Sequence, residues 1–142
     1  MTGISDNDPI EIIEKAAVER LKAAVLDLSV VDFPDSPEDF KKLPFQKGIV
    51  LVGYQGSRFS QPTNLDVIIQ ERVLQFGITL QIRDLRGHDG AYRYLEAIRA
   101  SLTGFAPEGD YRAFYPVSED FLNMTNNVWI YGMSFEMRKR QA

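Results

Sequence analysis

The 142-residue sequence contains no cysteine, a single histidine and a single tryptophan. Without cysteine there are no disulfides, no thiol nucleophiles and no thiolate metal sites. A lone His88 offers no second imidazole for a metal centre. No run approaches the roughly 20 apolar residues that cross a bilayer. The opening Met1-Thr2-Gly3-Ile4-Ser5-Asp6 lacks the basic and apolar regions of a signal peptide. The expectation is a cytoplasmic chain with no membrane partner. Basic excess is missing too: 16 Lys and Arg face 20 Asp and Glu, for a net charge of −4. Residues 1–45 carry ten acids and five bases, and residues 46–142 ten acids and eleven bases, a balance that disfavours a nucleic-acid reader. Glycines 48, 53 and 56 are not followed by Gly-Lys-Ser or Gly-Lys-Thr, so they form no phosphate loop. Neither cofactor nor metal is expected.

What remains has globular composition, 44% hydrophobic, 25% charged and 11% aromatic. Its length predicts one domain over residues 1–142 with its own core. Leu74, Phe76, Ile78, Leu80 and Ile82 alternate with polar neighbours, the period of a long strand with one buried face. This strand is the expected organiser of the sheet.

Residues 1–8 read as a tail. Asp8-Pro9-Ile10-Glu11 then supplies a cap acceptor, a proline at the first helical position and a glutamate three residues after the cap. Ile10, Ile13, Ala17, Leu21, Ala24, Val25 and Leu28 recur at helical spacing, predicting a helix over residues 9–28. Ile12 and Val18 fall off this stripe, which suggests either isolated exposed side chains or a small contact with a neighbouring copy. Residues 29–47, with Pro34, Pro37 and Pro44 among acids, read as a long connection. Gly48 to Tyr54 is β-branched and bounded by glycines, a central strand. Residues 55–64 are polar and predict a protruding loop or hairpin arm. A turn at residues 84–90 leads to a helix over 90–102, whose stripe is Ala91, Leu95, Ile98 and Leu102, with Gly104 at the left-handed C-terminal position. Residues 111–117 read as a strand, 118–127 as a polar linker with one apolar insert at Phe121-Leu122, and 128–137 as a final alternating strand. The expected fold is therefore α+β: a two-layer sandwich in the order α-β-β-α-β-β, its mainly antiparallel four-stranded sheet covered by two helices.

Chemistry-bearing groups are sparse. Asp84, His88 and Asp89 could form an acid–base pair, but Gly87, Gly90 and a helix start explain the segment as a turn and cap. Tyr54, Trp129 and Tyr131 read as core side chains rather than stacking platforms, which need basic grooves beside them. Arg72, Arg83, Arg86, Arg93 and Arg99 are either solvated charge or an interface, where arginine is enriched.

Several stretches together resemble the tail terminator proteins of long-tailed phages, in particular those of Mu-like contractile phages and related phage-tail-like bacteriocins. They are the helix from Ile10, the acidic proline-containing connection, the glycine-bounded strand, the long strand with Arg72, Gly90-Ala91-Tyr92-Arg93-Tyr94-Leu95-Glu96-Ala97-Ile98-Arg99-Ala100-Ser101-Leu102-Thr103-Gly104, and Trp129-Ile130-Tyr131. The likeness spans about residues 8–138 and carries over no catalytic residue. It implies a structural, non-enzymatic virion protein at the neck of the tail, assembled in the host bacterial cytoplasm. Such a protein forms a ring of copies, typically six, that caps the tail tube and the sheath, ends tail polymerisation and presents a surface to the head–tail connector. A negative net charge suits a lumen through which genome DNA passes without sticking. Within that frame Arg58, Phe59 and Gln61 in the 55–64 loop are the expected tube or sheath contacts. Arg72, Arg86, Arg138, Lys139 and Arg140 are further partner-binding candidates. The competing readings are another head–tail completion or tail assembly protein of similar fold, a small non-catalytic binding module, and a small enzyme using His88.

Overall fold

The computed structural model describes residues 9–33, 47–64, 66–83, 89–107 and 112–141. The elements are α1 (Pro9–Ala24), β1 (Ser29–Asp32), β2 (Gly48–Phe59), β3 (Gln70–Arg83), α2 (Asp89–Leu102), β4 (Tyr115–Thr125) and β5 (Val128–Gln141). The fold is α+β with a five-stranded mixed sheet ordered β1-β2-β3-β5-β4. This corrects the expected four-stranded antiparallel sheet. The additional strand, β1, pairs parallel to β2 from Ser29 opposite Ile49 to Asp32 opposite Val52. It lies in a segment read as pure connection, because Ser-Val-Val-Asp is too short to show a period.

β3 is central, flanked antiparallel by β5 along its whole length and by β2 from Arg72 to Ile82. Its side chains Leu74, Phe76, Ile78, Leu80 and Ile82 are buried, as the alternation requires. Their directly opposed partners on β5 are Met137, Phe135, Met133, Tyr131 and Trp129, and Val50 and Val52 oppose Leu80 and Ile78 from β2. These residues join Ile13, Ala17 and Leu21 of α1 and Ala91, Leu95, Ile98 and Leu102 of α2 in one core, so both helices cover the same face. Phe76, Phe114 and Phe135 meet edge to face within it, with centroids 5.6 and 6.4 Å apart. Tyr131 is buried and Tyr54 and Trp129 pack against the core, as expected of them.

Helix α1 ends four residues before its apolar stripe does. Val25 and Leu28 remain buried, but in a turn closed by Leu28 N–H donating to the Val25 carbonyl at 3.1 Å. Val18 is buried and Ile12 is exposed, so of the two residues off the stripe only Ile12 is open to contact. Gly104 has φ 84°, the left-handed geometry expected after α2.

The other face of the sheet carries no helix among the described residues. Ile49, Leu51 and Val73 are nevertheless buried there, outside the main core. Three glycines, Gly53 opposite Gly77 and Gly132 beyond them on β5, let side chains lie flat across this face. Phe33 crosses Gly53, Gln55 crosses Gly77, and Leu122 crosses Gly132 so closely that an added Cβ would fall 2.9 Å from its Cδ1.

A candidate assembly interface

Two hairpins extend the sheet beyond the helices. In the first, β2 runs to Phe59 through a register shift at Gln55, so of the two expectations for residues 55–64, a loop or a hairpin arm, the hairpin arm forms, with its first half in strand. The polar residues there suggested a loop because this part of β2 has no helix to bury against. The ladder continues past Phe59: Ser60 N–H donates to the Glu71 carbonyl at 2.9 Å and Thr63 N–H to the Ile69 carbonyl at 2.9 Å. The tip presents Val67, Ile68 and Ile69, all exposed.

Arg58 and Phe59 point to opposite faces of this arm. Arg58 Nη1 and Nη2 both donate to the Glu136 carboxylate, the second at 2.9 Å. Glu136 is 5% exposed and also accepts from Gln75 Nε2 at 3.0 Å and Tyr115 Oη at 2.9 Å. Above all Arg58, and then Gln75 and Tyr115, hold its carboxyl at about 2 against the opposing effect of burial. Phe59 is half exposed, and the Arg72 guanidinium sits 5.7 Å from its ring centroid while Arg72 Nε donates to Ser57 Oγ at 3.1 Å. Gln61 is exposed beyond them.

Arg72, Arg138 and Lys139 gather at the same end of the sheet, Arg72 opposite Lys139 and Val73 opposite Arg138. Arg138 Nη1 lies 3.3 Å from Glu71 Oε1. Arg112 joins them, its backbone N–H bonded to the Arg138 carbonyl at 2.9 Å. A recess of about 250 Å³ opens here between Ser60, Thr63, Ile69, Gln70, Glu71, Arg112, Arg138 and Lys139. Arg140 lies on β5 opposite Glu71. Arg86, His88 and Asp84 lie outside the described residues, as do the side chain of Asp89 and the cap expected of it. Among the described residues no three His, Cys, Asp or Glu side chains gather as metal ligands, and no helix is long and apolar enough to cross a membrane.

The second hairpin corrects the expected strand over 111–117 and linker over 118–127: β4 begins at Tyr115 and includes almost all of that linker. It is an edge strand, exposed on both faces from Pro116 to Thr125, and a strand with no buried face shows no alternation. Register shifts at Val117 and Leu122 bracket a regular run. Asn126 and Asn127, with φ 52° and 63°, close the hairpin in the doubly left-handed turn that fits strand twist. Val117, Phe121, Leu122 and Met124 are each about half exposed. Phe121 rests between Trp129 and Tyr131, with centroids 6.0 and 5.4 Å away. The apolar insert at Phe121-Leu122 was the one sequence sign of this surface; Arg112 and Glu136 gave none.

The architecture is thus a two-layer α+β sandwich with one apolar-tipped hairpin, at Val67 to Ile69, and one exposed apolar edge strand, β4. The family model described as Gp37 protein matches residues 17–141, and the chain belongs to that family. Among solved structures, a chain of the "Virion of native gene transfer agent (GTA) particle" has the same fold, with a TM-score of 0.62 at 14% identity, covering 96% of this chain and 100% of that one. No curated protein sequence matches.

Proposed function

We propose that the protein is a non-enzymatic structural component of a phage-like virion, and specifically a tail terminator. Copies close into a ring, typically of six, on the end of the tail tube and its sheath, halting polymerisation and offering the opposite surface to the head–tail connector. Genome DNA passes through the lumen without specific binding. Membership of the Gp37 family and the fold shared with a gene transfer agent virion component support the virion role.

The observation that carries the reading is β4, an eleven-residue edge strand with four large apolar side chains left outside. A monomer gains nothing from an exposed hydrophobic edge and risks aggregation through it, whereas an assembly subunit buries it. The first hairpin is suited to a different contact. Its Val67 to Ile69 tip, with Phe59 and Arg72 behind it, projects beyond the core and faces the tube or sheath in this reading.

The test is a growth assay in which purified tube protein polymerises with and without this chain. Tubes stopped at shorter lengths in proportion to added chain support termination. An unchanged length distribution contradicts it.

A further inference from the structure

The β4 edge and the recess carry complementary groups, and they lie apart along β5 of the same chain. On the helix-free face the edge presents Asp120, opposite Gly132, and Leu122, which lies over Gly132. The neighbouring acid is already committed, since Glu119 Oε1 accepts from Arg99 Nη1 at 3.1 Å. Asp120 has no such bond among the described residues, and the segment from Tyr115 to Thr125 holds no basic side chain. The recess offers the converse chemistry, an apolar wall from exposed Ile69 beside three cations, Arg112, Arg138 and Lys139, against one acid, Glu71, which already pairs with Arg138.

A chain cannot satisfy this complementarity within itself. Asp120 is level with Gly132, six residues along β5 from Arg138, or about 20 Å at about 3.4 Å per residue. That exceeds the combined reach of an aspartate and an arginine side chain. The two surfaces can meet only between copies, and because they differ the contact is head to tail, the type that closes into a ring when the rotation closes.

We infer that the β4 edge of one copy docks in the recess of the next, with Asp120 directed at Arg112 and Leu122 packed against Ile69. This rests on the ring reading above and names the contact that builds the ring. Charge complementarity sets the register of neighbours, and the bulges at Val117 and Leu122 keep β4 from pairing indiscriminately as a flat edge.

Charge exchange in the full-length chain tests the inference, with assembly followed by light scattering alone and on purified tail tubes. Asp120→Arg and Arg112→Glu each raise the concentration needed for assembly by about tenfold, and the two together restore it toward wild type. Both positions are exposed, and circular dichroism confirms that each variant is folded. Because the chain has no cysteine, mixing Asp120→Cys with Arg112→Cys copies and adding a short bis-maleimide gives a second readout, a covalent adduct containing one chain of each kind. Rings that form equally well in both single variants, with no mixed adduct, overturn the docking while leaving the ring reading standing. A wild-type chain that never self-associates, with or without tubes, overturns both.

Discussion

Glu136 ties the arms to the sheet. One buried carboxylate holds Arg58 of β2, Gln75 of β3 and Tyr115 of β4. Its carboxyl titrates at about 2 instead of 4.5, so the folded state favours the charged form. The stabilisation is complete above about pH 4.5 and is lost as pH falls from there through about 2. A depression of that size corresponds to about 3 kcal/mol. Glu136→Gln should flatten the stability profile between those pH values and cost about 2 kcal/mol at neutral pH, as read by urea denaturation across pH. Arg58→Ala should destabilise in the same direction, leaving the acid with only its neutral donors Gln75 and Tyr115. Asp27 also titrates near 2, through Lys47 at 2.7 Å and the Tyr94 hydroxyl at 2.6 Å. It is half exposed, so solvent and salt screening leave it little weight in stability.

At the scale of elements the two hairpins make separable predictions. Asn126 and Asn127 both hold positive φ, at which a β-carbon is strained unless a short polar side chain assists. Replacing both with Ala should cost about 2 kcal/mol, and Asn127→Gly should be neutral or stabilising, as measured by thermal unfolding. Changing Val67, Ile68 and Ile69 to Ser should alter stability by about 1 kcal/mol or less, since all three are exposed, yet abolish tube capping. Sequence patterning resolved elements that bury one face: β3, β5, α2 and the start of α1 were legible from apolar spacing alone. It missed β1, which is too short to show a period, and β4, which has no buried face. The same logic governs the interface. Arg58 and Phe59 stood out as an arginine and an aromatic in polar surroundings, but which face each of them takes depends on the bulge at Gln55. Arg112 becomes informative only when the ladder sets it beside Arg138.

For the whole molecule, a single well-packed core supports surfaces that a solitary subunit has no reason to expose. The core lies between two helices and one sheet face, while β4 and the Val67 to Ile69 tip remain outside it. Asp120 and Arg112 are exposed charges, so assembly should weaken as salt is raised toward 1 M, where the Debye length falls to about 3 Å. Apolar contacts through Leu122 and Phe121 should persist and leave a residual association detectable by sedimentation. The central claim, that this chain ends a growing tail by closing a ring on it, is tested most directly by electron microscopy of tail tubes incubated with the purified protein. The account predicts a ring of density, with rotational symmetry matching the tube, on one end of each tube. Bare ends at saturating protein, or protein decorating the tube along its length, would contradict it.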